Sequence, residues 1–384
     1  MTTKKTRTHS LDHERYALVL QGGGALGAYQ AGVYAELAET PYLPHWVAGV
    51  SIGAINAALI AGNPPERRIA RLREFWQLVS SGVSVPPPHW EEPRAAFNHF
   101  SAAVAALIGV PGFYRPRLFP ALYHPGGSEH ALSVYDVRPL RDTLERLIDF
   151  DLINSRTVRL SLGAVNVRTG NSVYFDNLQQ EIGPEHIMAS GALPPAFAPV
   201  VIDGEAYWDG GIVSNTPLQH VLDARGKEKL LVLQVDLFGA NGPMPTDLFS
   251  VMQRHKDIMY SSRTRYSTDK VLEIQNALHA LANLIQKLPP ALRNDPDVKH
   301  LEARSNSASV DIVHLIYRQK HYERESKDYE FSRASVLEHW QAGQRDMRHT
   351  FAHPDWLAKS SVDVGVTAYD FAVDIIDQQA ALRR

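Results

Sequence analysis

Within residues 16–61, two short apolar runs each stop at a cluster of small residues that opens a helix-period segment. Residues 16–21 (YALVLQ) end at Gly22-Gly23-Gly24, after which apolar and small side chains recur at helical spacing to residue 39. Residues 46–50 end at Ser51, and a second helical pattern follows to residue 61. A buried strand that turns tightly into a helix and leads to another strand is a crossover unit, so this stretch predicts a parallel sheet with helices packed on it.

Further along, residues 67–79 read as an amphipathic helix. Between 82 and 125 the texture changes: Pro86, Pro87, Pro88, Pro93, Pro111, Pro116 and Pro120 alternate with Trp90, Phe97, Phe100, Phe113, Tyr114 and Phe119. That composition predicts a cap or lid inserted into the framework. Residues 137–148 suit a helix opened by Asp136, residues 157–167 and 172–176 a hairpin, and residues 229–237 another buried strand. Beyond residue 241 the chain reads as mainly helical, with helices over 247–287 and 332–350 and one strand candidate over 310–317. The expected division is a disordered leader (1–15), an α/β domain (16–240, with 82–125 inserted) and a mainly helical C-terminal extension (241–384).

Composition removes several function classes. With 39 basic and 42 acidic side chains the net charge is −3, which gives no support to a nucleic-acid partner. The absence of cysteine excludes disulfides, thiolate metal ligands and thiol catalysis. The first fifteen residues are polar and basic with no apolar run behind them, unlike a secretory signal. No apolar run reaches membrane-spanning length either. The expectation is a cytoplasmic protein. The basic positions Arg254, Lys256, Arg263, Arg265 and Lys270 could meet lipid phosphates, but a solvated helix face is the expected reading.

The first turn, Gly22-Gly23-Gly24-Ala25-Leu26-Gly27, satisfies G-x-G-x-x-G between a strand and a helix, the context of a dinucleotide site. A dinucleotide site also wants an acid at the end of the second strand. Here that strand ends in Gly49-Val50-Ser51. The same converging N–H groups can instead hold the oxyanion of an acyl-transfer intermediate. Gly49-Val50-Ser51-Ile52-Gly53 is a G-x-S-x-G turn, which presents a serine hydroxyl at the tip of a strand with flanking glycines making room. Only 24 positions separate Gly27 from Ser51, and both turns lie at the carboxyl ends of strands expected to be neighbours.

A nucleophilic serine needs a base. His220 and His255 follow in the chain without a distinctive setting. Asp209, in Trp208-Asp209-Gly210-Gly211, is the better candidate: its glycines allow close approach, and a desolvated carboxylate is a stronger base.

Taken together, these residues resemble the patatin-like phospholipase family. Residues 22–27 match its oxyanion loop, residues 49–53 its nucleophile motif, residues 189–194 (ASGALP) a third block, and Asp209-Gly210-Gly211 the block with the catalytic aspartate. The resemblance implies a three-layer α/β/α fold with a mostly parallel sheet, catalysis by Ser51 and Asp209, an oxyanion site at Gly22, Gly23, Gly24 and Gly27, and neither metal nor cofactor. It implies lipid or other acyl-ester substrates; the proline-aromatic stretch over 82–125 suggests an apolar lid or acyl funnel in peripheral contact with the inner membrane. Many members carry a basic residue where this chain has Leu26. Two other readings stay open: an enzyme binding NAD(P) at residues 22–27, and a catalytically silent lipid-binding or scaffold protein. Sequence does not separate phospholipid, lysophospholipid, thioester and hydroxyalkanoate substrates, or fix the oligomeric state.

Overall fold

The computed structural model describes residues 15–88, 90–352 and 365–370. The expected leader lies outside them except for Arg15, which opens the first strand. The opening units form as the pattern requires: β1 (Arg15–Leu20), α1 (Gly27–Leu37), β2 (Trp46–Val50), α2 (Ile52–Ala61) and α3 (Pro65–Val79). The 82–125 stretch holds one α-helix, α4 (Glu91–Ile108), a 3-10 turn at Ala121–Tyr123, and a short strand, β3 (Arg115–Pro116), which pairs with β4 (Tyr135–Asp136). Then come α5 (Arg138–Leu147), α6 (Phe150–Asn154), β5 (Arg159–Asn166), β6 (Ser172–Asp176), α7 (Pro184–Ser190), β7 (Val200–Ile202) and β8 (Glu205–Asp209). The remaining elements are α8 (Leu218–Asp223), β9 (Leu230–Asp236), α9 (Leu248–Lys287), α10 (Pro296–Arg304), β10 (Val310–Ile316), α11 (Arg333–Ala352) and β11 (Val366–Asp370).

Nine strands form one sheet in the order β11-β10-β9-β1-β2-β5-β8-β7, with β6 also on β5. From β11 to β5 every pairing is parallel; β6, β7 and β8 pair antiparallel. Alternation along the strands builds two cores. Leu18 and Leu20 of β1 face α1, α2, α3 and α11, whereas Ala17 and Val19 face α8 and α9. The result is a three-layer α/β/α architecture with a mostly parallel central sheet.

The chain beyond residue 241 carries long helices and also adds β10 and β11 to this sheet. Its α11 lies directly on α1, because each helix offers a glycine at the crossing. A Cβ on Gly32 would fall 1.9 Å from the Trp340 carbonyl oxygen, and one on Gly343 would fall 2.0 Å from that of Tyr29. Gly343→Val must therefore separate two buried helices. A loss of at least about 3 kcal/mol is expected, readable as a lower urea midpoint.

Candidate active site

β5 explains how residues 158 positions apart in the chain meet, since 209 − 51 = 158. One edge of β5 carries β6 along Ser161 to Val165. The other edge carries β2 only as far as Val50, opposite Gly163. β8 takes the remainder of that edge from the opposite direction and ends with Asp209 opposite Ala164. β2 and β8 thus meet end to end, with Ser51 beyond the tip of one and Asp209 at the tip of the other.

Ser51 has φ 55° and ψ −123°, a left-handed conformation that costs a non-glycine residue about 1–3 kcal/mol. The turn is tight enough that a Cβ on Gly49 would lie 2.3 Å from the Gly53 carbonyl oxygen, and one on Gly53 would lie 2.3 Å from that of Leu20. The Ser51 N–H donates to the carbonyl and to the Oγ of Ser190, both at 3.1 Å, and Ser190 Oγ donates to the Gly163 carbonyl at 2.6 Å. The same segment reaches Asp209, whose N–H donates to the Ala192 carbonyl at 3.0 Å. One short loop at the end of α7 therefore clamps both residues. Behind Ser51, α2 begins at Ile52 and points its positive end at the turn.

Asp209 is 2% exposed and accepts the Gly211 N–H on Oδ1 at 2.7 Å. Burial pushes the Asp209 carboxyl up to about 6, and the nearby Ser51 hydroxyl and the Gly211 N–H offset part of that rise. Gly210 packs at the β5 edge, where a Cβ would lie 2.6 Å from the Gly163 carbonyl oxygen. Neither histidine weighed in the sequence joins this pair. His220 stacks on Tyr174 with ring centroids 4.0 Å apart and faces Asp176, and His255 is exposed on α9.

The glycine loop flanks Ser51 from β1: a Cβ on Gly22 would lie 3.0 Å from Ser51 Cβ. Its donors divide into two groups. The Gly22 N–H is used by the Asn215 carbonyl at 3.1 Å, and the Gly27 N–H turns back on Gly24 and Ala25. The N–H groups of Gly23 and Gly24 meet no protein acceptor among the described residues. Leu26 is fully buried.

Three supports of this loop had no legible role in the sequence. Asn215 holds it with Nδ2 on the Gly22 carbonyl at 3.0 Å. Asn56 holds it from α2 with Nδ2 on the Gly27 carbonyl at 2.9 Å. The third is Asp328, whose carbonyl accepts the Ala25 N–H at 2.7 Å. Lys256, read in the sequence as part of a solvated face, donates instead to Asp328 Oδ1 at 2.7 Å and to the Glu325 carbonyl at 2.8 Å. The side chains of Arg263 and Arg265 lie outside the described residues.

Beside the clamp loop, Phe113, Met188, Gly191, Ala192 and Phe197 line a small apolar pocket. Phe113, Tyr114, Tyr135, Phe197 and Phe331 form a connected ring cluster around it. On the outer side, Leu118, Phe119, Leu122 and Tyr123 are exposed, Leu118 to 96%. Among the described residues no helix is long and apolar enough to cross a membrane.

A family model described as patatin-like phospholipase matches residues 18–222. A second, described as patatin phospholipase, matches residues 258–363. No curated protein matches the chain. Among solved structures the chain is similar to VipD from Legionella pneumophila, at 15% identity over 86% of this chain and 67% of that one, with a TM-score of 0.35.

Proposed function

We propose that this chain, which belongs to the patatin-like phospholipase family, hydrolyses acyl esters of lipids with Ser51 as nucleophile and Asp209 as its general base. The observation that carries the reading is the Ser51 hydroxyl placed close enough to the buried Asp209 carboxylate to lower its pKa, at a strained turn facing a loop with two unused N–H groups. A carboxyl raised to about 6 is ionised at neutral pH yet basic enough to draw a proton from serine as attack proceeds.

In the reaction, Ser51 Oγ bonds to the ester carbonyl carbon while its proton passes to Asp209. The carbonyl oxygen, now anionic, is held by the N–H groups of Gly23 and Gly24. As the carbonyl re-forms, the ester C–O bond breaks and the leaving alkoxide takes the proton from Asp209. A water molecule then gives its proton to Asp209 and attacks the acyl-serine. When that bond breaks, the acid departs and Ser51 recovers the proton.

The aromatic cluster at Phe113 and Phe197 supplies an apolar wall beside the acyl carbon. The exposed Leu118, Phe119, Leu122 and Tyr123 suit peripheral contact with a lipid surface. A fluorophosphonate probe tests the core of the reading. Wild type is expected to label covalently and Ser51→Ala to remain unlabelled at equal folded content. Equal labelling of the two proteins would remove Ser51 from the mechanism.

A further inference from the structure

A cavity of about 720 Å³, within the range of small-molecule sites, has neither Ser51 nor Asp209 in its wall, although Phe238, which lines it, packs against Gly23. It opens between the carboxyl ends of β9, β10 and β11 and the first half of α9, and residues 317–327 form another wall. Open α/β sheets take ligands at this edge. Here the edge is built jointly by residues 230–236 and by the chain beyond residue 241.

Four side chains that line it carry a buried polar atom with no hydrogen-bond partner among the described residues: Gln234 Oε1, His314 Nε2, Arg254 Nη1 and Arg318 Nη2. Gln234 is 0% exposed, and its Nε2 donates to Asp236 Oδ2 at 2.7 Å, which fixes the amide with Oε1 free. Arg254 spends only Nη2, on the Ala240 carbonyl at 2.6 Å. Buried polar groups in folded proteins are nearly always satisfied, and four orphaned ones around one cavity call for an occupant.

Charge pairing shows what kind of occupant fits. Several ions on the wall are already matched: Lys327 with Asp257 at 2.6 Å, Lys320 with Glu338 at 3.2 Å, and Glu323 with His339 at 2.7 Å. Asp247 caps α9 through the Ser250 N–H at 2.7 Å. Asp236 faces His314 Nδ1 at 3.9 Å. Arg254, Arg318 and Arg324 form no salt bridge among the described residues, although Arg318 lies in the field of Asp346. Arg324 lies in the field of Asp247, and Asp370 adds a carboxylate to the wall beside Asp236. Three guanidinium groups without a salt bridge still favour a multiply charged oxyanion, which they bind as forks. The free Gln234 Oε1 and the Asp236 carboxyl beside it accept, so they suit hydroxyl donors. The space is also much larger than a bare ion needs.

We infer that this cavity is a binding site for a hydroxylated organic phosphate, such as a glycerol phosphate, a sugar phosphate or a nucleotide. It shares no residue with the Ser51–Asp209 pair and does not depend on the ester chemistry proposed for it.

Calorimetry on the full-length protein with inorganic phosphate, glycerol 3-phosphate and AMP tests this. At least one organic phosphate is expected to bind more tightly than inorganic phosphate. Arg254→Met with Arg318→Met should weaken that binding at least about tenfold at an unchanged thermal transition. Gln234→Leu should narrow the preference for the organic ligands. A parallel arm uses phosphatidylcholine vesicles with and without phosphatidic acid. Sedimentation that depends on phosphatidic acid and is lost in the double variant identifies a lipid headgroup as the source of the phosphate, whereas binding of the soluble probes without it identifies a free metabolite. Three results overturn the inference: no heat with any probe, binding unaffected by the double arginine change, or inorganic phosphate binding as well as the organic ligands, which marks an adventitious ion only.

Discussion

Asp209→Asn is expected to cut ester turnover by about 10³–10⁴-fold while making the protein harder to unfold at pH 7. The two effects share a cause. Burial raises the Asp209 carboxyl from 3.8 to about 6, so the charged form is less favourable in the fold than in the unfolded chain. For an acid whose folded value lies above its unfolded one, stability is greatest below the unfolded value. It falls as pH rises through the window from 3.8 to about 6 and stays low above it. A shift of about two units corresponds to about 3 kcal/mol. The amide removes that cost: its oxygen still accepts the Gly211 N–H, and its NH₂ can face Ser51 Oγ. Urea unfolding at pH 7 should show the gain, and at about pH 3 the two proteins should converge. In wild type, kcat/KM should fall about tenfold per unit as pH drops below about 6, because protonated Asp209 cannot accept the serine proton. A variant that keeps turnover, or loses it without any gain in stability, would place the base elsewhere.

The sequence made the local rules of this site legible and left its long-range ones hidden. Residues 16–61 announce two crossover units because strand ends, small-residue turns and helical spacing are all encoded within a few positions of one another. Ser51 is visible for the same reason, as a left-handed serine needs the small neighbours that Gly49 and Gly53 provide. Asp209 is visible as an acid before two glycines, but its meeting with Ser51 depends on β8 taking the part of the β5 edge that β2 leaves free. No local pattern records that. Of the two strands that join the sheet from beyond residue 241, β10 is legible as the candidate over 310–317, whereas β11 is lost in a stretch whose helical spacing dominates its reading. Asp328 is the clearest case of a hidden support: it acts on the glycine loop through its carbonyl oxygen, which any residue type would supply. Asn215 and Ser190 carry side chains that matter, yet an isolated asparagine or serine in a loop has many uses, and only the folded chain picks out this one.

Gly24→Ala is expected to lower kcat by about 10²-fold with little change in KM, the size of effect seen when one oxyanion donor is lost. Gly24 has φ +55°, and a Cβ there would lie 1.9 Å from the Asp328 carbonyl oxygen. The clash is with backbone, so no side-chain rotation relieves it. Either Asp328 retreats or the loop does, and in both cases the 2.7 Å bond from the Ala25 N–H is disturbed. That bond fixes the short turn over which the N–H groups of Gly23 and Gly24 are presented. Lys256→Met is the graded companion. It leaves the loop intact and removes the cation that ties Asp328 and Glu325 to α9, so a smaller loss in kcat is expected, in the same direction. Steady-state kinetics on a short ester, with Ser51 labelling as a check on the nucleophile, separate the outcomes. Wild-type kcat in Gly24→Ala would release the glycine loop from the oxyanion role. If both variants lose kcat in that order, the chain beyond residue 241 acts in catalysis by holding the oxyanion loop against a carbonyl that lies more than 300 positions away, since 328 − 24 = 304.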